Sequence, residues 1–300
     1  MESIKIENLT FTYPSNAEPS LKNIFLTVEK GEFITICGKS GCGKSTLLRH
    51  LKPPIAPCGE RCGKIAFEGQ DVFKLSSREQ TEKIGFVMQS ADNQIATDKV
   101  WHELAFGLES LGYTSNEIRA RVAETAAFFG ISDWFYQKTE FLSGGQKQLL
   151  NLASIMVLQP SLLILDEPTS QLDPIAAREF LQNVSNINKE LGTTVILTEH
   201  RLEEVFNLSD KVVVMEDGEI IAHGTPKAVC KKLYEIKSDM TLALPTPIRI
   251  FSAIESEGCM PLTVREGRDW LGKKEVINHI TNTENLPKIK DAAIELKNVW

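Results

Sequence analysis

The sequence predicts an α/β fold with a mainly parallel central sheet. Residues 161–166 and 193–198 are continuous apolar runs, the pattern of strands that are buried on both faces of a sheet. The helical pattern between them, over residues 175–191, would form a right-handed crossover that places both strands in one sheet. A third apolar run, residues 33–37, leads into a glycine-rich loop and the start of a helix. This repeated order of strand and helix predicts the α/β class.

The loop after residues 33–37 has the spacing G-x-x-x-x-G-K-[ST], which is typical of phosphate-binding loops. Its glycines let successive backbone N–H groups turn toward phosphate oxygens, and the positive end of the following helix faces the same anions. Lys44 would reach the β- and γ-phosphates, and Ser45 would give Mg²⁺ a hydroxyl oxygen. The alternative is a glycine-rich turn with a chance lysine, but the strand, loop and helix all agree. We predict nucleotide binding by Gly38, Lys39, Ser40, Gly41, Cys42, Gly43, Lys44, Ser45 and Thr46.

Composition and charge narrow the classes of function. With 42% hydrophobic and 24% charged residues, the chain can form one large or two modest domains with a buried core. A net charge of −7 argues against a nucleic-acid backbone as the main partner. No stretch approaches the roughly 18 to 20 consecutive apolar residues of a membrane span, and residues 1–5 lack the features of a secretory signal. We therefore expect a cytoplasmic protein.

The cysteines favour a reducing environment. Cys37 and Cys42 lie in the predicted strand and loop of the nucleotide site, where reduced thiols are expected. Cys58 and Cys62 have a spacing that would suit a metal ion. Because no second pair of ligands is near them in the sequence, two free thiols are the preferred interpretation.

The remaining segments predict two further structural units around the core. Residues 4–11 alternate apolar and polar side chains, which predicts antiparallel strands ahead of the loop. Residues 100–138 have spaced apolar positions with charges between them, which predicts helices within an inserted subdomain of about residues 90–150. Residues 211–224 predict a β-hairpin, and the first domain would end near residue 236.

Two more motifs show a resemblance to a known family. Residues 142–146 read LSGGQ, and residues 162–167 form an apolar strand that ends in two acids. With the phosphate loop, this order resembles the ATP-binding cassette (ABC) family over residues 4–236. The resemblance implies a P-loop ATPase with a RecA-like core, an antiparallel β subdomain and an α-helical subdomain. It also implies that Asp166 holds the Mg²⁺ shell, that Glu167 orients or deprotonates the attacking water, and that a γ-phosphate is faced by Ser143, Gly144, Gly145 and Gln146.

Three single residues match other positions of the ABC pattern. Gln89 matches the glutamine that contacts Mg²⁺ or water and links the site to a membrane partner. His200 matches the switch histidine, whose imidazole hydrogen-bonds the γ-phosphate. Tyr13 matches the aromatic residue that stacks on adenine, so the resemblance implies ATP as the nucleotide. Residues 168–173 resemble the D-loop, but Gln171 replaces the small residue that is usual there.

Residues 92–109 resemble the ATPases of energy-coupling factor (ECF) importers, which take up vitamins and cobalt or nickel ions. In these importers, two ATPases assemble with a transmembrane coupling protein and a small substrate-binding membrane protein. The ATPases lie on the inner face of the cell membrane. The resemblance implies that the coupling protein's basic helix ends meet acidic residues of this region. The candidates are Asp92, Asp98, Glu103 and Glu109. The alternative is that these acidic residues form a solvated helix face with no partner. Residues 90–91 are Ser-Ala, whereas Asn-Pro or Asp-Pro often follows the glutamine in the family.

Residues 237–290 would form a C-terminal tail or linker. A capping box from Thr263 to Glu266 predicts a short helix in it. The tail resembles the element through which ECF ATPases hold each other, although a simple packing tail is an alternative. Residues 294–300 repeat the alternation of residues 4–10, which predicts that residues 291–300 are the first strand of a second cassette in a tandem protein.

The resemblance thus implies the ATP-hydrolysing subunit of an ECF-type importer. Each nucleotide would lie between the phosphate loop of one cassette and the LSGGQ motif of another, either a second copy or the second half of the same protein. The alternative is a soluble tandem ABC ATPase that acts on the ribosome. Such proteins join their cassettes by a long charged helix, whereas residues 237–290 are short and interrupted by prolines. An exporter component would normally bring membrane spans.

Overall fold

The computed structural model describes residues 1–14, 16–200, 202–254 and 260–272. These residues form ten strands and ten α-helices, with short 3₁₀ turns between them. The strands are β1 (Glu2–Thr12), β2 (Leu21–Glu29), β3 (Phe33–Gly38), β4 (Glu60–Phe67), β5 (Gln70–Asp71), β6 (Ile84–Val87), β7 (Leu162–Asp166), β8 (Thr194–Thr198), β9 (Lys211–Glu216) and β10 (Glu219–Gly224). The helices are α1 (Lys44–His50), α2 (Ser77–Lys83), α3 (Val100–Ser110), α4 (Ser115–Phe128), α5 (Gly144–Met156), α6 (Pro174–Leu191), α7 (Leu202–Val205), α8 (Pro226–Glu235), α9 (Thr246–Ala253) and α10 (Val264–Leu271).

The core is a six-stranded sheet in the order β10-β9-β3-β8-β7-β6. Strands β9, β3, β8, β7 and β6 run parallel, and β10 is antiparallel to β9. Every residue of β3, β6, β7 and β8 is buried, as the continuous apolar runs predict for strands that are covered on both faces. Helix α6 forms the crossover from β7 to β8. Asp173 caps its start by accepting hydrogen bonds from two backbone N–H groups, and Gly192 ends it with a φ of +69°.

A second, antiparallel sheet precedes the phosphate loop in the chain and has the order β2-β1-β4-β5. In β1 the buried residues include Ile4, Ile6, Leu9 and Phe11, so the alternating sequence pattern buries one face of the strand. These residues pack with Ile34 and Ile36 of β3 in one hydrophobic cluster, and this contact joins the two sheets.

The helical part consists of α3, α4 and α5, which pack on one another. Thr114 and Glu117 form a capping box at the start of α4. Apolar side chains of these helices belong to the same buried cluster as Val87, Leu163 and Leu165 of the six-stranded sheet. The predicted fold class is therefore confirmed: an α/β core carries an antiparallel β subdomain and a helical subdomain.

The C-terminal part begins after α8 and contains α9 and α10. The predicted helix start is present: Thr263 caps α10 by accepting a hydrogen bond from Glu266 N. The predicted capping box is only half formed, because the Glu266 carboxylate accepts from Leu262 N rather than from Thr263 N. The predicted strand at residues 291–300 and the tail beyond residue 272 lie outside the described residues. In the described part of the chain, no helix combines the length and apolar character that a membrane span needs.

Candidate active site

The candidate site lies at the carboxyl edge of the six-stranded sheet. Ile36 of β3 pairs with Thr198 of β8, and Thr198 pairs in turn with Asp166 of β7. Because these strands are parallel, the loops that follow them emerge side by side. The phosphate loop and the residues that follow β7 and β8 therefore meet at one place, although they are far apart in the sequence.

The phosphate loop has a backbone that only glycine accepts at two positions. Gly38 has a φ of +155°, and a Cβ atom there would lie 2.2 Å from Met215 O. Gly43 has a φ of +102°, and a Cβ atom there would lie 2.7 Å from Ser20 O. Gly43 also occupies the N-cap position of α1, so no cap side chain occupies the first N–H groups of that helix. This geometry fits the binding of phosphate oxygens.

Lys44 is held by hydrogen bonds inside the loop, and Ser45 is held by a carboxylate at the end of β7. The Lys44 ammonium donates to Gly38 O at 2.9 Å and to Lys39 O at 3.1 Å, and its side chain is only 4% exposed. The Ser45 hydroxyl donates to Asp166 Oδ1 at 2.8 Å. Burial raises the pKa of the Asp166 carboxyl, while hydrogen bonds from Ser45 and Thr198 oppose that rise. A hydroxyl and a carboxylate are oxygen ligands of the kind that Mg²⁺ takes, so this pair fits the ion.

Glu167 is the centre of the site. Its Oε1 lies 2.8 Å from His200 Nε2 and 3.9 Å from Lys44 Nζ, and its Oε2 accepts from Gln89 Nε2 at 3.3 Å. Its backbone has a φ of +48°, which non-glycine residues rarely adopt, and its N–H donates to Thr198 Oγ1 at 2.9 Å. The structure therefore brings together all three residues that were predicted to be catalytic.

A cleft of about 350 Å³ opens beside Glu167. Tyr13 lies at its edge, where its hydroxyl is 3.0 Å from Thr46 Oγ1, and its ring meets Phe11 edge-on. The cleft is lined by Tyr13, Asn16, Ser20, Ser40, Gly41, Gly43, Lys44, Ser45, Thr46, Gln89 and Glu167. Sequence reasoning missed Asn16 and Ser20, because they precede the motif and no fixed spacing marks them.

Two predicted loop residues direct their side chains elsewhere. The Lys39 ammonium lies 2.6 Å from an Asp239 carboxylate oxygen in the C-terminal part. The Cys42 thiol is buried, and burial raises its pKa. Neither of these two residues is among those that line the cleft beside Glu167.

The LSGGQ motif forms a separate surface at the start of α5. Ser143 accepts a hydrogen bond from Gln146 N at 3.3 Å, and the Gln146 side chain accepts from Ser143 N at 2.9 Å. Ser143 and Gly144 are exposed. Among the described residues, those that line the cleft include none from positions 143–146. The motif thus caps its own helix, and it forms a surface separate from the cleft at the phosphate loop of the same chain.

The loop after Gln89 is attached to the helix that carries the LSGGQ motif. Asp92 lies 2.6 Å from Lys147 Nζ, and Asn151 donates to Ala91 O at 3.2 Å. Gln94 fixes the other side of the loop, where it accepts from Met88 N and donates to Phe86 O. No spacing pattern in the sequence marks these contacts. They connect Glu167, through Gln89, to the helical subdomain.

The four acidic residues at positions 92–109 have different environments. Glu103 is 5% exposed and accepts hydrogen bonds from Ala96 N and Thr97 N, so it is not available to a basic partner and the expectation for it is corrected. Asp92 is engaged by a lysine, and Glu109 lies 3.7 Å from His102 Nε2. Asp98 is exposed. Glu109 also lines a groove of about 500 Å³ between α3 and α4 that contains Trp101, Arg119 and Tyr136.

Comparison with known proteins decides the family. The profile of the ABC transporter family matches residues 21–170, which include the phosphate loop, LSGGQ and the two acids after β7. The energy-coupling factor transporter ATP-binding protein EcfA1 of Caldanaerobacter subterraneus is 38% identical over 258 residues, which cover 85% of this chain and 92% of that protein. The chain belongs to the ABC transporter family. It carries an ABC ATPase domain, and the ligands of such domains are ATP and Mg²⁺.

Two further comparisons concern the fold and the length of this ABC protein. The structure of cbiO1 from Clostridium perfringens, described as part of the ABC transporter complex cbiONQ, matches with a TM-score of 0.71 and 33% identity, and the match covers 85% of this chain and 99% of that one. A Bacillus cereus protein named as an ABC transporter ATP-binding protein is 43% identical over 276 residues. That alignment covers 92% of this chain but 50% of the relative. The chain thus spans about half the length of such relatives.

Proposed function

We propose that this chain is the ATP-hydrolysing cassette of an ECF-type importer. The observation that carries the proposal is the position of Glu167, which contacts Lys44 and His200 on one side and Gln89 on the other. Gln89 begins the loop that is attached to α5, so a change at the nucleotide would be transmitted to the helical subdomain. Hydrolysis then resets a mechanical cycle in which ATP closes two cassettes and its loss reopens them.

Each site residue has a role in this proposal. Lys44 binds the β- and γ-phosphates, and Ser45 and Asp166 hold Mg²⁺ through oxygen. Glu167 orients or deprotonates the attacking water, and Gln89 and His200 set the position of its carboxylate. Tyr13 offers its ring to adenine. Ser143, Gly144, Gly145 and Gln146 complete the site of an opposing cassette.

The groove between α3 and α4 is the proposed docking site of the membrane coupling protein. Trp101 and Tyr136 offer aromatic surface there, and Tyr136 is 81% exposed. Aromatic residues of this kind often supply much of the binding energy at interfaces. The ECF type is supported by similarity to EcfA1, an energy-coupling factor transporter ATP-binding protein, and to cbiO1, part of the ABC transporter complex cbiONQ.

The second cassette is proposed to come from the same polypeptide. The match to half of a longer relative supports this arrangement. Helices α9 and α10 line an open apolar pocket of about 160 Å³ in which Ile250 and Val264 are exposed, so the C-terminal part is the proposed contact between cassettes.

The docking proposal is tested by recovery of the full-length protein with the membrane fraction of its own cells. We expect W101A/Y136A to lose membrane association while ATP affinity stays unchanged. Phe25 is 60% exposed on the antiparallel sheet, so F25A is a matched control that removes an exposed aromatic residue elsewhere. Unchanged membrane recovery of the double variant, or recovery of the wild-type protein only with ribosomes, would contradict the proposal.

A further inference from the structure

A buried carboxylate lies directly beside the switch histidine. Glu199 is 2% exposed, between the last residue of β8 and His200. Its Oε1 accepts from Thr169 Oγ1 at 2.7 Å and from Thr169 N at 3.2 Å. Its Oε2 accepts from His200 N at 3.2 Å. One side chain therefore bonds the backbones of two loops that meet at the active site.

Removing a carboxylate from water is costly unless hydrogen bonds replace its hydration. Here each oxygen receives at least one N–H or O–H donor, and the donors come from loops that are 30 residues apart in the chain. Thr169 is two residues after Glu167, and His200 is the next residue after Glu199. The Glu199 carboxylate thus bonds the backbone at His200 and close to Glu167, and the side chains of these two residues are 2.8 Å apart at Nε2 and Oε1.

We propose that Glu199 is a positioning residue for ATP hydrolysis, which holds His200 in register with Glu167 by bonding His200 N and Thr169 together. The inference rests on the roles proposed above for Glu167 and His200. Among the described residues that line the nucleotide cleft, Glu199 is absent. Its loss should therefore lower kcat while KM for ATP stays nearly constant, because the groups that bind the phosphates are untouched.

Conservative substitutions separate this role from simple core packing. A glutamine at position 199 keeps the volume but has one acceptor oxygen and one NH₂ donor, so it serves either Thr169 or His200 N and opposes a donor at the other. T169V removes the hydroxyl donor and keeps the side-chain shape. T194V is its matched control: Thr194 is equally buried at the opposite end of β8, where its hydroxyl accepts from Gly31 N.

The test measures hydrolysis of radiolabelled ATP by the full-length protein under single-turnover conditions, which resolve slow reactions, together with ATP affinity and thermal unfolding. We expect E199Q to lower the hydrolysis rate about 10-fold and T169V about 3-fold, with ATP affinity within about twofold of wild type. T194V should match wild type. In an H200A background, E199Q should cause little further loss, because both changes affect the same contact.

The outcomes separate the inference from the proposed function. Wild-type hydrolysis by E199Q or T169V, with H200A impaired, would overturn the positioning role alone. An equal loss from E199Q in both backgrounds would also overturn it, since Glu199 would then act independently of His200. Wild-type hydrolysis by H200A would refute the role proposed for the histidine and, with it, the basis of this inference. T169V keeps the test decisive if E199Q does not fold.

Discussion

The two helix starts of this cassette that carry nucleotide motifs are built differently. At α1 the N-cap is Gly43, and the neighbouring Lys44 and Ser45 are held by Gly38 O and Asp166. At α5 the N-cap is Ser143, which forms a reciprocal capping box with Gln146. The start of α1 lies in the cleft, and its side chains are held there by hydrogen bonds. The start of α5 is exposed, and its capping hydrogen bonds come from Ser143 and Gln146 themselves.

The two helix starts therefore depend on different parts of the molecule. The α1 start depends on distant strands, because Asp166 and Glu167 must lie beside it. The capping hydrogen bonds of the α5 start come from its own first turn, so they form without a partner. We infer that the α1 start binds nucleotide in a single cassette, whereas the α5 start acts only when another cassette meets it. The predictions below test that division.

The largest expected effect is at Glu167. E167Q should slow ATP hydrolysis by about 1,000-fold, because the amide cannot accept a proton from water, and should leave ATP affinity nearly unchanged. Hydrolysis by the full-length protein and binding of a fluorescent ATP analogue check this. E32Q is the control, since Glu32 is a partly buried carboxylate that pairs with Lys211 away from the cleft. A wild-type rate for E167Q would refute the assigned role.

K44A should weaken ATP binding by about 10- to 100-fold, since it removes a charged donor from the phosphates. Titration of the chain with the same fluorescent analogue measures the affinity. The matched control is K39A, which removes a lysine of the same loop whose ammonium pairs with Asp239. If K39A weakens binding as much as K44A, the difference between the buried Lys44 ammonium and the Lys39 ammonium at Asp239 does not decide phosphate binding.

S143R should leave the ATP affinity of a single cassette unchanged but lower hydrolysis by the full-length protein about 10-fold or more, because the long side chain obstructs the opposing site. T114R is the control, since it replaces the cap of an equivalent capping box at the start of α4. A loss of ATP affinity in S143R alone would show that the LSGGQ surface contributes to the cleft of its own chain, against the division drawn above.

The last prediction concerns stability near the phosphate-loop helix rather than catalysis. Lys52 donates to Gln80 O and Ile84 O, and burial lowers its pKa from 10.5 to about 8. Between these values the unfolded chain binds an additional proton, so the free energy of unfolding from this group rises with pH. Urea denaturation at pH 8 and pH 10 should show this increase, about 2 kcal/mol, in wild type but not in K52M. Equal pH dependence of the two proteins would contradict the burial of this charge.

Local patterns in the sequence were sufficient for the core elements. Spacing along the sequence predicts the phosphate loop, the apolar strands β7 and β8 and the cap of α10. The conformation of each of these segments depends on residues that are close to it in the chain. The resemblance to the ABC family then assigned roles to Gln89, Glu167 and His200. Those roles stay predictions, although the structure brings the three side chains into contact.

The tertiary structure decided which charged groups are free and which are committed. Glu103 and Glu199 look like ordinary acidic residues in the sequence, yet both are buried and accept hydrogen bonds from other segments. Lys39 lies in the phosphate loop but pairs with Asp239, which is 200 residues away. Sequence patterns report the period and conformation of a local segment. The environment of a charge depends on which distant segments fold against it, so only the folded chain determines it.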